Sequence, residues 1–251
     1  MVMIKTPMIM KQNPLIMAEF EKAFSEVDHD VVNILLHSLQ NIVKIGDNDS
    51  LNLFNYEKIG QRKIVISAAS FKELGKFGKN ANEYIFESLK KISDTSAVIH
   101  NFTDKDNKRV KKKNVRIIDN VAWYEGGALD DKRDQAFEVQ FNEWFLEIAT
   151  KQFNVQVGNY TKVELPTVSS LKSKHAKKLY EILKSQQYQN KTFALRYENM
   201  QKLFNLEGKD FSYIVRIIRT AKPKVEQILP FEFTPFKKDK LISFEILVPH
   251  K

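Results

Sequence analysis

Apolar residues three and four positions apart recur along this chain, separated by short runs in which apolar and polar residues alternate. Val31, Leu35, Leu39 and Ile42, with Val32, Leu36 and Val43 beside them, predict a helix over 31–43, and 14–24 (PLIMAEFEKAF) predicts another before it. Gly46-Asp47-Asn48-Asp49-Ser50 has the composition of a turn. Residues 63–66 (KIVI) predict a short strand. Ser67 then opens a small helix, SAASFKELGKF, ending at Gly78. Asn80 or Asn82 caps a helix of about 83–93 whose inward face is Tyr84, Ile85, Leu89 and Ile92. Strands over about 96–102 and 114–124 follow, joined by a basic tip, DKDNKRVKKK. Helices, a short strand, a helix–turn–helix and a two-stranded hairpin, in that order, make a winged helix.

After an exposed loop at 125–134, the pattern predicts a strand at 136–141, a helix over about 142–153, a hinge near 155–158 and an extended stretch to Leu165. Ser169 or Ser170 caps a helix of about 170–187 with Leu171, His175 or Ala176, Leu179, Ile182 and Leu183 on its apolar face. The same grammar then returns: a short strand at 193–195, a helix at 197–206 ending near Gly208, a second helix from Lys209 to Lys222, and strands at 231–235 and 241–248 around the tip Phe236 to Lys240. The expected fold is α+β, with two tandem winged-helix domains, each a helix–turn–helix with a short antiparallel β-hairpin wing. The expected domains are 1–155 and 156–251. The first 13 residues are either disordered or part of a dimer contact.

Charge sharpens this picture. Residues 1–150 carry 21 Lys+Arg against 22 Asp+Glu, whereas 151–251 carry 19 against 9, so the net +9 belongs to the second part. A directed field of this kind attracts a polyanion. Its centre is KDFSYIVRIIRTAK at 209–222. On a helix, Phe211, Ile214, Val215 and Ile218 form one apolar stripe, and the opposite face gathers Lys209, Ser212, Arg216 and Arg219, with Tyr213 and Lys222 flanking. Such a helix docks by its apolar side and lays its basic side in the major groove. Arginine bonds guanine O6 and N7 bidentately, discriminating by about 1–3 kcal/mol per pair. Most amphipathic helices merely face solvent with mixed charges. Here no acid occurs between Asp210 and Glu226. Pro223 is expected to end or kink the helix, and Lys237, Lys238 and Lys240 lie where a wing meets the adjacent phosphates.

The segment L-x-S-K-x-A-x-x-L-Y-E-I-L at Leu171 to Leu183, then F-A-L-x-Y-E-N-M at Phe193 to Met200, then I-S-F-E-I at Ile242 to Ile246, resembles the C-terminal half of iteron-binding theta-type plasmid replication initiators. The resemblance extends weakly through the first half. It implies two winged-helix domains, a C-terminal one that reads directly repeated origin DNA and an N-terminal one that adds contacts and mediates dimerisation. It also implies a monomer that activates the origin and a homodimer that represses its own promoter, with the host initiator and helicase as partners. Carried onto this chain, it makes Arg216 and Arg219 base readers, and Lys174, Lys177, Lys178 and the wing lysines phosphate contacts. In the first domain it points to Ser67, Ser70, Lys72 and Lys76 around the helix–turn–helix and to Lys111, Lys112 and Lys113 on its wing.

Enzymatic readings find little support. There is no G-x-x-x-x-G-K-[ST] phosphate loop. The histidines at 29, 37, 100, 175 and 250 include no pair at ligand spacing, and the chain has no cysteine. Asp28-His29-Asp30 reads as a cap for the helix at 31–43. Asp104-Lys105-Asp106-Asn107 reads as a polar turn, since Lys108 takes a ligand position and neither the glycine nor the closing glutamate of a calcium loop is present. His175 reads as a packing residue, and Trp123 and Trp144 as core or interface aromatics. The expectation is a non-enzymatic, cytoplasmic initiator without cofactor or metal that binds double-stranded DNA and no membrane. A double winged-helix transcription regulator without an origin role, or an adaptor for host replication proteins, are the alternatives.

Overall fold

Ser25 and Asp28 cap one another. The Ser25 amide donates to the Asp28 carboxylate at 2.6 Å, and the Asp28 amide donates to the Ser25 hydroxyl at 3.2 Å. This starts α2 (Glu26–Ile42) a turn earlier than expected, so Asp28 caps the helix from its third position and His29 and Asp30 lie inside it. The computed structural model describes residues 7–42, 62–75, 77, 80–104, 108–125, 135–151, 160–187 and 190–247. The turn at 46–50, Gly78, the loop at 126–134 and the hinge at 155–158 lie outside them.

The helix expected at 14–24 is instead β1 (Met8–Gln12), α1 (Asn13–Ile16, with Pro14 in its first turn) and β2 (Glu19–Phe20). Leu15 and Ala18 enter one hydrophobic core and Ile9 and Ile16 another. A segment that feeds two cores cannot keep one helical face.

The first core is built on α2, β3 (Lys63–Ser67), α3 (Ala68–Gly75), α4 (Ala81–Ser93), β4 (Ser96–Thr103), β5 (Arg109–Arg116), β6 (Ile118–Tyr124), β7 (Ala136–Phe141) and α5 (Glu143–Lys151). The expected hairpin of 96–102 with 114–124 does not form as one unit. Strand β5 begins at Arg109 and pairs with β4 in the sheet β2-β4-β5, whereas β6 pairs with β7 in the sheet β3-β7-β6. Ile117 and Ile118 are both buried. Two consecutive inward residues break the alternation of a strand, and the chain changes sheets there. The wing of this unit is therefore β6–β7, and β4–β5 is an insertion between α4 and β6. At its tip the Lys108 amide donates to the Asp104 carboxylate at 2.8 Å, as a polar turn requires. Trp123 packs between Phe86 and Phe137. Tyr84, expected inward, is 64% exposed, and Ala81 and Ser88 line the inner face of α4 with Ile85, Leu89 and Ile92.

The second unit comprises β8 (Tyr160–Glu164), α6 (Leu165–Ser170), α7 (Lys174–Gln186), β9 (Thr192–Arg196), α8 (Tyr197–Leu203), α9 (Phe211–Glu226), β10 (Phe231–Phe236) and β11 (Leu241–Ile246). The helix expected over 170–187 is split. Pro166 sits in the first turn of α6, and Ser173, not Ser169 or Ser170, caps α7 by accepting from the Ala176 amide. Strand β1 pairs antiparallel with β8, so residues 8–12 are ordered by their own chain. Their Ile9 packs into the second core, across the boundary expected at 155/156. The sheet order β10-β11-β9 repeats β6-β7-β3: in each unit the last strand lies between the first strand and its hairpin partner.

Helix α7 carries three charged side chains into the contact between the units. Glu181 accepts from Lys11 Nζ at 2.8 Å through both oxygens, and Lys11 also donates to Asn33 at 3.2 Å. Lys177 pairs with Asp30 at 2.6 Å, and Ser169 donates to the same carboxylate. Lys178 donates to the Ile16 and Ala18 carbonyls at 2.6 and 3.3 Å. Burial pushes the Lys178 ammonium down to about 7, with Glu181 opposing that shift. Burial also holds the His29 imidazole well below its ordinary value, and the Lys11, Lys178 and Lys177 cations lower it further.

Two stability predictions arise here. Lys11→Met alone should cost about 3–5 kcal/mol, because it strands the Glu181 carboxylate in the interior. Lys11→Met with Glu181→Leu should recover most of that loss in urea unfolding. Asp28 is the second case: burial raises its carboxyl, but hydrogen bonds from Lys91, Ser88 and Ser25 outweigh this and hold it below the ordinary 3.8. Its contribution is present above that value and is lost as pH falls through the lower folded value. The stability gap between wild type and Asp28→Asn should be about 1–3 kcal/mol at neutral pH and close in strong acid; a gap constant with pH would refute the assignment.

Candidate nucleic-acid interface

Asp210 caps α9, accepting from the Tyr213 amide at 2.6 Å, so the helix proper begins at Phe211 with Lys209 in the preceding turn. Ile214, Val215, Ile218, Ala221 and Val225 are buried in the second core with Leu179 and Leu183 of α7. Neither an end nor a break occurs at Pro223, and α9 continues to Glu226. Proline removes the donor to the Arg219 carbonyl, and both residues lie on the exposed side, where water can take that role. One turn earlier the Thr220 hydroxyl donates to the Arg216 carbonyl at 2.9 Å.

The outward face is cationic. Ser212, Arg216 and Arg219 are exposed, and among the described residues neither arginine forms an ion pair. The Arg216 guanidinium lies 4.7 Å from the Tyr213 ring centroid, and the Lys209 ammonium lies 5.5 Å from it. Lys209 is fixed through its backbone, since its carbonyl accepts from the Tyr197 hydroxyl and from Gln201 Nε2. Lys222 does not belong to this face. It is bound to Glu232 at 2.7 Å and approaches Glu226 at 3.9 Å, tying α9 to the wing strand β10.

At the wing, Lys237, Lys238 and Lys240 are all exposed in the tip between β10 and β11. The base of that tip is anchored on the helix–turn–helix, because the Tyr197 amide donates to the Lys240 carbonyl at 2.8 Å. Lys240 takes a φ of 48°, a left-handed conformation that terminates the turn. The reading by residue type missed two exposed cations here. Lys224 follows Pro223, where the helix was expected to stop, and Arg196 ends β9 opposite Leu241.

Other expected contacts fall elsewhere. Lys177 is fully buried and Lys178 is 4% exposed, both engaged across the contact between the units, so neither can reach a phosphate. The family resemblance makes them phosphate contacts, but the side of α7 that carries them meets α1 and α2. Lys174 is half-buried beside His175, whose imidazole burial and Lys174 push down to about 4; His175 packs on Phe204. Ser67 and Ser70 are spent on capping α3, with the Ser70 amide donating to the Ser67 hydroxyl at 3.0 Å. Lys72 is exposed, and Lys76 lies outside the described residues. Lys111, Lys112 and Lys113 lie on the edge strand β5 of the inserted hairpin, not on the wing; the first two are exposed and the third covers the Trp144 ring. Helix α4 holds the place in the first unit that α9 holds in the second, yet its exposed face carries Glu83, Tyr84 and Glu87 with a single cation, Lys90. Among the described residues no three His, Cys, Asp or Glu side chains are grouped as for a metal ion, and no helix is long and apolar enough to cross a membrane.

Comparison with known proteins places this architecture. The family model described as "Initiator Replication protein, WH1" matches residues 8–184. The crystal structure of the Pi initiator protein in complex with iteron DNA superposes with a TM-score of 0.65 at 14% identity, over 98% of this chain and 99% of that one. Two structures of domains 2 and 3 of RctB give TM-scores of 0.45 and 0.46 at 11% and 13% identity, covering 87% and 90% of this chain and 80% and 83% of theirs. No curated protein matches significantly. The likeness to Pi establishes the paired winged-helix fold, and the match over 8–184 establishes that the chain belongs to the initiator replication protein family.

Proposed function

We propose that this initiator binds directly repeated origin DNA in a sequence-specific manner through α9 and the β10–β11 wing, and that this binding helps to open the origin and recruit the host initiator and helicase. The observation that carries the reading is the outward face of α9: two exposed arginines with no acidic partner among the described residues, on a helix whose other side is buried in the core. The face that carries Arg216 and Arg219 meets the major groove, where a planar guanidinium fork matches guanine O6 and N7. Ser212, Tyr213 and Lys209 stand at the amino-terminal end of the helix, and Lys237, Lys238, Lys240 and Lys174 hold phosphates beside it. Lys72, Lys111 and Lys112 supply a weaker, sequence-independent contact from the first unit. The Pi protein, of the same fold, was crystallised with iteron DNA, which supports the choice of repeated duplex sites. We extend the proposal to a homodimer, formed through the first unit in the cytoplasm, that represses the protein's own promoter. No catalytic step is part of this role.

Footprinting on the DNA that flanks the gene tests the reading: protection of direct repeats beside an AT-rich segment supports it, and a lone palindrome refutes the origin role. Affinity for the protected duplex should fall by about 0.9 log units per decade of salt for each phosphate neutralised. Arg216→Ala should cost about 1–3 kcal/mol and relax the preference for one base pair, whereas Lys238→Ala should weaken all duplexes alike and shallow the salt slope by about one. A flat salt response, or an Arg216→Ala protein with unchanged selectivity, would remove α9 from the interface.

A further inference from the structure

We infer that Tyr213 is a positioning residue for Arg216, and that the two arginines of α9 divide their work: Arg216 reads a guanine, and Arg219 binds the backbone. The inference rests on the DNA-reading role of α9 and adds which side chain within it selects the base.

Tyr213 is half-buried, and its ring packs against the second core. Its backbone amide is held by the Asp210 carboxylate, which fixes the turn from which the ring projects. The ring is therefore a rigid platform and not a free surface tyrosine. Arg216 lies one turn on, at the i+3 spacing that brings two side chains of a helix together, with its guanidinium 4.7 Å from the ring centroid. An exposed arginine ordinarily samples many rotamers and loses that freedom when it binds. Stacking on an aromatic face restricts the rotamers beforehand and leaves the outer edge of the fork open to a base. A cation–π contact at an exposed site corresponds to a population shift of about two- to fivefold. Among the described residues Arg219 has neither an aromatic ring nor a carboxylate against it. A mobile guanidinium serves a phosphate, which can be approached from many directions, better than it serves the two fixed acceptors of a guanine edge.

The test uses the full chain and a duplex selected by it from a random-sequence library. The readout is the ratio of affinities for that duplex and for the same duplex with 7-deazaguanine at each guanine in turn, which removes N7 alone. Wild type should show at least about a fivefold ratio at one guanine. Tyr213→Leu should reduce that ratio about two- to fivefold, and Tyr213→Phe should keep it, since the ring and not the hydroxyl supports the arginine. In an Arg216→Ala background, Tyr213→Leu should have no further effect on the ratio. Arg219→Ala should leave the ratio intact and shallow the salt slope by about one. A fall in the folded fraction cancels in a ratio, so a purely structural effect of the leucine variant would not mimic the result. A ratio unchanged by Tyr213→Leu, or reduced equally with and without Arg216, overturns the positioning role while leaving DNA reading by α9 in place. A wild-type ratio of one at every guanine overturns both.

Discussion

The structure depends on the seam where α7 meets the first 33 residues. Little more than one turn of one helix places Lys177, Lys178 and Glu181 out of water, and each finds a partner from the opposite end of the chain: Asp30, the carbonyls closing α1, and Lys11. Buried charges of this kind contribute little net stability compared with well-packed apolar residues, because desolvation offsets the attraction. Their effect is selective: any displacement of one unit against the other strands a charge. An apolar seam would tolerate sliding; this one has a single register. Through it the N-terminal strand and α2 are joined to the second unit by matched buried charges, which set α9 and α4 in one relation.

That fixed relation joins two units of one topology and unlike chemistry. Each follows helix, strand, helix, helix, hairpin, with the same strand order, yet the third helix presents arginines in one case and, in the other, two glutamates and a tyrosine with one lysine. Phosphate-lined grooves repel the second set. The first unit also carries an inserted hairpin whose edge strand bears Arg109, Lys111, Lys112 and Arg116 on its exposed positions. Its cationic surface has thus moved off the helix and onto a strand. Such a strand can also discourage edge-to-edge pairing with other sheets, so its lysines carry less weight for DNA than those of the second wing.

Much of this was readable from residue order alone, and the failures have physical causes. Helix α9 was legible because its apolar stripe and its lack of acids coincide, and neither depends on distant contacts. Lys177 and Lys178 were not, because a lysine at a helical position looks the same whether it faces water or a buried partner remote in sequence, here Asp30 and the Ile16 and Ala18 carbonyls; only the unusual density of charge against apolar neighbours in KHAKKLYEIL hints at burial. The wing of the first unit was misplaced because two hairpins follow one another, and the clue was two adjacent isoleucines, 117 and 118, that break the period of two. The first helix was misjudged because its apolar residues serve two cores, a constraint that no local window contains. Pro223 was given too much force: a proline costs a helix one donor and a steric clash, but at an exposed position near the end of a well-anchored helix the buried side outweighs that cost.

The placement of acids around α9 decides which of its surfaces is left open to a polyanion. Asp210 is spent on the cap, so its carboxylate bonds the helix amides and lies at the positive end of the helix dipole. Glu226 and Glu232 lie at the far end and hold Lys222, a cation that would otherwise repel its neighbours on the same helix. Between these two anchored ends, Ser212, Arg216 and Arg219 are left facing outward, and among the described residues no negative group neutralises them. A solvent-facing helix gains stability from mixed charges along its exposed side, and this one forgoes that gain. The segregation costs the isolated protein a little stability and is recovered only when a polyanion covers the face, which is why the chemistry of α9 points to a bound state that the free chain anticipates.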